Sequence, residues 1–278
     1  MKIAYFSEQV ALNGRPVMAA ALDCLQAAGH QTQENSWDSD AVVIWSVLWS
    51  GRMAPNQAVY RHYRAQNKPV IIVEVGALYR GSTWKIAVNN VTAEGYYGHH
   101  DNLDWDRPQK LDISLAMQLK TEPQITVALQ HTKSLQTEAI ADMTQWVHDT
   151  VIQLRQHTDR PIVVRPHPRC NIPLPAGVTA EQPRRLTNTY DSYDMHYRCH
   201  AVVNYNSGPG IQAAIAGTRP IVDHTSLAHP VSVTWADIEK PYAVDRDAWL
   251  VKICHTEYTT QEIKQGLWLN RIAPALNL

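Results

Sequence analysis

Short apolar runs separated by amphipathic stretches set the outline of this chain. KIAYF, AVVIWSV and PVIIVEVG are apolar along their length, and residues 16–28 and 55–66 between them repeat apolar positions at helical spacing. Runs apolar on both sides of the backbone are strands covered on both faces, and strand–helix–strand alternation gives a parallel sheet flanked by helices. Gly29 follows the first helix, where a left-handed residue ends it. One or two further strands are expected within 79–97, with turns at Asn89, Asn90 and Gly95. Over 99–123 the pattern lapses into charged residues and two prolines, then resumes with ITVALQ, a helix over 138–157, PIVVRPHPR, a short helix over 190–198, HAVVNY, and a helical stretch from 260 onward. The expected fold class is α/β, two Rossmann-like doubly wound domains facing a cleft. Residues 1–110 form the first domain, 111–123 a linker, 124–260 the second domain, and 261–278 a C-terminal helix that crosses back to the first.

Two strand ends in the second half carry candidate chemistry. VVNYNSGPGIQAAIAGTRPIVD reads as strand, Ser-Gly-Pro-Gly turn, small-residue helix and strand. Ser207 is a helix N-cap type, Pro209 suits a first turn, and the small residues after it let the helix lie close to the sheet. Amides at such a helix start, with the positive end of its dipole, form an anion cradle. PIVVRPHPR is a second strand that stops on charge, with Arg165, His167 and Arg169 at its carboxyl end, the edge of an open α/β sheet where ligands bind. A Gly-rich turn also serves tight packing, and a histidine between prolines also makes a stiff turn. The coincidence of the two elements points to a phosphorylated ligand.

Composition narrows the alternatives. The 278 residues are 45% hydrophobic, enough for two buried cores, and no apolar run has bilayer-spanning length. MKIAYFSEQV enters a strand pattern rather than a signal peptide, so a soluble, cytoplasmic protein is expected. Cys24, Cys170, Cys199 and Cys254 form no CxxC pair, which counts against a zinc ribbon or a disulfide framework. HExxH is absent and no metal site is expected, although His99 and His100 beside Asp101 have ligand chemistry. EQVALNGRP, after the first strand, has one glycine instead of GxGxxG, and no Gly-rich loop ends in GKS or GKT; neither NAD, FAD nor a P-loop nucleotide is expected, and no tightly bound cofactor.

A formal net charge of −1 excludes a strongly basic nucleic-acid-binding chain. Charge is local instead: between residues 52 and 85 there are six basic residues (Arg52, Arg61, Arg64, Lys68, Arg80, Lys85) against the single acid Glu74, interleaved with Tyr60, Tyr63, Tyr79 and Trp84. Basic and aromatic residues together line nucleic-acid grooves, and the same pattern describes a solvated helix face over buried tyrosines.

The second half resembles the donor domain of GT-B glycosyltransferases, specifically the capsule-type Kdo transferases and related sugar transferases. The resemblance rests on RPHPR (Arg165, His167, Pro168), NSGPG (Asn206, Ser207, Gly208, Gly210) and AIAGTRPIV (Gly217, Pro220), about 60 residues in all. It implies that Arg165, His167, Asn206, Ser207, Gly208 and Gly210 hold the phosphates of a UDP- or CMP-type nucleotide sugar. WSVLWSGRMAPN, PVIIVEVGALYRGSTWKIAVNN and DRPIVVRPHPR are similar to segments of tailed-phage proteins. That second likeness implies a hydroxymethylated pyrimidine in double-stranded DNA as acceptor, in the host cytoplasm. The chain lacks the extra elements of the larger capsule enzymes, which puts a capsule acceptor in doubt.

The expected reaction is transfer of a sugar from a nucleotide to an acceptor hydroxyl without a metal. Arg165 and His167 neutralise the departing phosphate, and His167 can protonate it. The base is Glu74, at the end of an apolar strand, or Asp101, on the linker side of the cleft. Arg52, Arg61, Arg64, Arg80 and Lys85 are the expected contacts to acceptor phosphates, with Trp84 or Trp49 stacking on a base. Gly76 and Gly81 make a turn expected to close over the ligands. A nucleotide-sugar epimerase and a polysaccharide-directed transferase share the scaffold and remain alternatives.

Overall fold

The computed structural model describes residues 1–117, 122–182 and 197–276. The chain divides into two compact units, one of Met1–Arg107, Lys133–Leu135 and Lys252–Leu278, the other of Pro108–Thr132 and Gln136–Val251.

The first unit holds a six-stranded sheet. Strands β1 (Lys2–Tyr5), β2 (Gln31–Glu34), β3 (Ala41–Trp45) and β4 (Val70–Val75) are parallel, β5 (Thr83–Val88) runs antiparallel to β4, and the spatial order is β11-β5-β4-β3-β1-β2, where β11 is Glu257–Thr259. β3 is buried at every position, as a strand covered on both faces must be. Helices α1 (Arg15–Ala27) and α2 (Asn56–Ala65) are the crossovers after β1 and β3. Gly14, just before α1, lies so close to the Trp45 ring that a Cβ would come within 2.4 Å of it, so no larger residue fits there.

Polar β2 and β11 are absent from the sequence expectation because neither has an apolar run. β11 is held by its partner instead: Glu257, Tyr258 and Thr259 pair with Lys85, Trp84 and Thr83 of β5. Its Glu257 is wholly buried and accepts hydrogen bonds from the amides of Ala77 (2.6 Å) and Leu78 (3.0 Å) and from the Thr83 hydroxyl (2.7 Å). A Cβ on Gly76 would strike the same carboxylate at 2.2 Å. The turn after β4, expected to be a flexible cover, is therefore tied down by Glu257.

α3 (Arg107–Lys110) spans the boundary between the units. The second unit is a five-stranded parallel sheet of β6 (Ile125–Ala128), β7 (Ile162–Arg165), β8 (Thr179–Ala180), β9 (Ala201–Asn204) and β10 (Arg219–Val222), ordered β10-β9-β6-β7-β8. Its core gathers Ile125, Val127, Val147, Leu154, Val164 and Val203. α4 is Met143–Arg155, starting later than the apolar spacing suggests because extended Asp142 (φ −141°, ψ 113°) caps it, accepting from the Thr144 and Gln145 amides at 2.8 and 3.4 Å. α5 is Gly208–Ile215. The helix expected over 190–198 falls mostly outside the described residues.

α6 (Asp247–Cys254) leads toward β11, followed by α7 (Thr260–Gln265) and α8 (Leu267–Ile272) in the first unit. The single C-terminal helix expected from 260 is broken at Gly266, whose φ of +82° ends α7. The break returns Trp268, fully buried, to donate its indole N–H to the Ile263 carbonyl at 3.0 Å. Among the described residues, no helix is long and apolar enough to cross a membrane.

One ion pair in the second unit carries a pH signature. Arg160 grips Glu239 through Nε (2.9 and 3.1 Å) and Nη2 (2.9 Å), and the Thr158 hydroxyl adds a bond of 2.6 Å. The Arg160 bonds hold the Glu239 carboxyl at about 2, below its ordinary 4.5. A depressed carboxyl stabilises the fold above its unfolded value and loses that contribution as pH falls toward the folded one. With the side chain 44% exposed, solvent screening leaves about 1 kcal/mol. Urea unfolding followed from pH 5 to pH 2 is expected to show this loss in the wild type and a flatter profile in Glu239→Gln.

Candidate functional site

In the second unit the chain runs β6 to β7 to β8, then returns to place β9 on the other side of β6. Ligands of open α/β sheets bind at the carboxyl ends of strands flanking such a reversal. Three chain segments leave the sheet there: the residues after Ala128, the PHPR segment that follows Arg165 at the end of β7, and the turn between β9 and α5. A recess at this edge is lined by Ala128, Leu129, Arg165, Pro166, His167, Pro168 and Pro209. Arg165 and His167, from one strand end, thus share a recess with the first turn of α5.

Arg165 is the last residue of β7, and its carbonyl accepts the Leu129 amide at 2.9 Å. It is 5% exposed, so its guanidinium sits in a low-dielectric setting, where an anion gains more from it than in water. His167 is half-buried, and its Nδ1 accepts the Arg169 amide at 3.1 Å. In the neutral ring this bond makes Nε2 the proton-carrying nitrogen, a suitable donor to phosphate. The His131 ring meets His167 edge-on with centroids 5.2 Å apart.

The turn into α5 uses its side chains differently from the sequence expectation. Ser207 occupies the N-cap with extended backbone, yet its hydroxyl makes no cap bond. The hydroxyl pairs with the Asn204 amide group (3.1 and 3.2 Å), and the Ser207 amide donates to Asn204 Oδ1 at 2.7 Å. Asn206 is buried, its side chain bonded to Gln130, Gln136 and Thr225. A Cβ on Gly210 would come within 2.8 Å of Val222 Cγ1, so this glycine serves the packing of α5 on β10. What the turn offers an anion is the Gly208 amide, since Asn204 takes the Ser207 amide, Pro209 has no N–H, and the Gly210 amide donates to the Ser207 carbonyl at 3.3 Å.

The first unit places its expected residues in three environments. Glu74 is half-buried at the end of β4 and accepts from the Ser46 hydroxyl (2.8 Å), the Val47 amide (3.0 Å) and its neighbour's amide at Val75 (2.8 Å). It therefore clamps the turn after β3, where Ser46 adopts a φ of +65°. Arg52, Arg61 and Arg80 are exposed; Arg64 is half-buried on α2 and donates to the Lys68 carbonyl at 3.4 Å. Asp101 is exposed in the turn after His100.

Trp84 and Lys85 correct the expectation of acceptor contacts. Both lie inside β5, between β4 and β11, and are 4% and 6% exposed. Trp84 packs against Trp45 and donates to the Thr260 hydroxyl at 3.0 Å. Lys85 stands in one cross-strand row with Glu74 and Glu257; burial lowers its pKa, and the two carboxylates oppose that shift. Neither side chain is on a surface that a polymer could meet. Trp49, the other stacking candidate, is also buried.

Gln130 and His131 are site residues that the sequence pattern did not single out. Their signal lies in ITVALQH, an apolar strand ending on polar groups, the same feature that marks PIVVRPH. Among the described residues, no group of three or more His, Cys, Asp or Glu side chains is arranged to hold a metal ion.

No family model matches the sequence, and no curated protein matches it. Solved structures do. The KpsC beta Kdo 2,4 transferase of Thermosulfurimonas dismutans aligns over 96% of this chain and 98% of its own, with a TM-score of 0.55 and 11% identity. The beta Kdo 2,7 transferase of the same KpsC aligns over 97% and 99%, with a TM-score of 0.49 and 13% identity. At such identities the likeness is one of fold: this chain has the α/β, GT-B-like fold seen in sugar transferases, with two Rossmann-like units.

Proposed function

We propose that the protein is a glycosyltransferase that takes its sugar from a nucleotide-sugar donor and binds the donor phosphates in the second unit. The observation that carries this reading is the recess where Arg165 and His167 meet the first turn of α5. An arginine fork, an imidazole N–H and the Gly208 amide at the helix start are three kinds of anion donor, and together they suit a phosphate that gains charge as the sugar leaves. Arg165 would neutralise that charge, and His167 Nε2 would donate to the leaving oxygen. These groups would do the work a divalent cation does in other transferases. The shared fold with the KpsC transferase supports the same reading.

The test is a thermal-shift series with UDP, CMP and their sugar conjugates, since a ligand bound only by the folded state raises the melting temperature. A shift with one nucleotide series identifies the donor; a flat series overturns the reading. Incubation of the identified donor with and without candidate acceptors then separates transfer from epimerisation, which needs no acceptor.

The proposed acceptor is a hydroxymethylated pyrimidine in DNA, served by the exposed arginines Arg52, Arg61 and Arg80 with Arg64 beside them. Retention on such DNA should fall steeply with salt if these residues neutralise phosphates. Glu74 is retained as the acceptor-side base, with Asp101 as the rival. Glu74→Gln can keep the Ser46 and Val47 bonds through its amide oxygen, gives up the Val75 one and cannot take a proton, so turnover is expected to fall about a hundredfold. Unchanged turnover assigns Glu74 to the Ser46 turn alone and passes the role to Asp101.

A further inference from the structure

Asn206, adjacent to the proposed phosphate turn, has every polar group committed elsewhere. Its amide N–H donates to Gln130 Oε1 at 2.9 Å, and its Oδ1 accepts from Gln130 Nε2 at 3.0 Å. Nδ2 donates to the Gln136 carbonyl at 3.1 Å and to Thr225 Oγ1 at 2.9 Å, and the Asn206 carbonyl accepts from Gln136 Nε2 at 3.3 Å. Thr225 is in turn fixed by Asp223, whose Oδ1 takes both its hydroxyl (2.6 Å) and its amide (2.9 Å). Both Nδ2 hydrogens are used, and Asn206 and Gln130 are each 7% exposed, so this side chain has no donor left for a ligand.

We infer that Gln130, through its two bonds to Asn206, is the positioning residue that sets the Ser207–Gly208 main chain for phosphate, and that Asn206 is its partner rather than a phosphate ligand. Gln130 follows β6 and Asn206 follows β9, adjacent parallel strands, so the bonds tie two strand ends together across the reversal of the sheet. On the far side of Asn206, the Asn204 amide group holds Ser207 through its hydroxyl and its N–H. The turn is therefore braced from Gln130 on one side and Asn204 on the other, and Gly208 leaves it in a fixed direction. A donor cradle that is held in place before the ligand arrives binds without first having to order itself.

This inference deepens the nucleotide-donor reading and rests on it. The experiment compares wild type, Gln130→Ala and the near-isosteric Gln130→Met, using UDP and CMP as probes and uridine and cytidine as controls that lack phosphate. Circular dichroism and melting establish that each variant is folded, the Met variant serving if the Ala variant is not. Affinity for the phosphorylated probe that the wild type binds is expected to fall about tenfold or more in the variants, with affinity for the matching nucleoside unchanged. Amide hydrogen exchange over 206–210 should speed up in the same variants. Equal losses for nucleotide and nucleoside, or unchanged exchange and nucleotide affinity in a folded variant, overturn the positioning role. A wild type that binds none of the probes overturns the donor reading instead, and the exchange rates then decide the brace on their own.

Discussion

Arg165→Ala is expected to lower sugar transfer at least about a hundredfold while the protein remains folded. The size follows from where the guanidinium sits. Removing one preorganised donor to a developing anion costs about 10²–10³ in turnover, and a buried arginine is a charged donor whose field water screens poorly. Loss of the planar fork matters separately from loss of charge, so Arg165→Lys should recover only part of the rate. Folding is expected to survive because the Arg165 main chain, whose carbonyl holds the Leu129 amide, is unchanged by the substitution. Steady-state assays of the three proteins with the donor identified by melting shifts make the comparison. A folded alanine variant with wild-type turnover removes Arg165 from the site, and with it the central element of the proposed mechanism.

Glu257→Ala is expected to give the largest loss of stability, about 3–5 kcal/mol, because it strands several buried groups at once. The carboxylate is wholly buried and takes the Ala77 and Leu78 amides and the Thr83 hydroxyl, while Lys85, also buried, stands opposite it in the strand pairing. Without the carboxylate, two amides lose their acceptor and a desolvated ammonium loses one of the two charges that favour its protonated form. The sign of the Lys85 contribution can be isolated. Lys85→Met in the Glu257→Ala background should regain part of the loss, since it removes the stranded charge, whereas Lys85→Met alone should destabilise. Urea titrations of the four proteins, read at the first unfolding transition because the chain has two units, supply the cycle. A Glu257→Ala protein within about 1 kcal/mol of wild type would show that water reaches these groups.

Part of this site is legible in the amino-acid sequence. Arg165 and His167 announce themselves because charge following an apolar strand has one location in a doubly wound sheet, its carboxyl edge. The Ser-Gly-Pro-Gly turn announces a helix start by its local chemistry, and α5 begins at Gly208 as that chemistry requires. The roles of the turn's side chains are not legible in the same way. Asn206 has the composition of a phosphate ligand, and only its neighbours show that it is occupied; those neighbours come from 70 and 76 residues away.

The alternation of apolar strands and amphipathic helices is written in the order of the residues, and with it two Rossmann-like units whose strand ends carry charged and polar groups. Periodicity and capping act over a few residues, so a local reading captures them. Whatever depends on a distant partner follows from packing instead. β11 exists because β5 offers an edge, and its Glu257 reaches Thr83 across 174 positions of sequence. The same pairing buries Lys85 and Trp84, which local composition alone placed with the basic, aromatic surface. Burial and hydrogen bonding are properties of contacts between remote segments, and a side chain's type states what it can bind without stating what has already bound it.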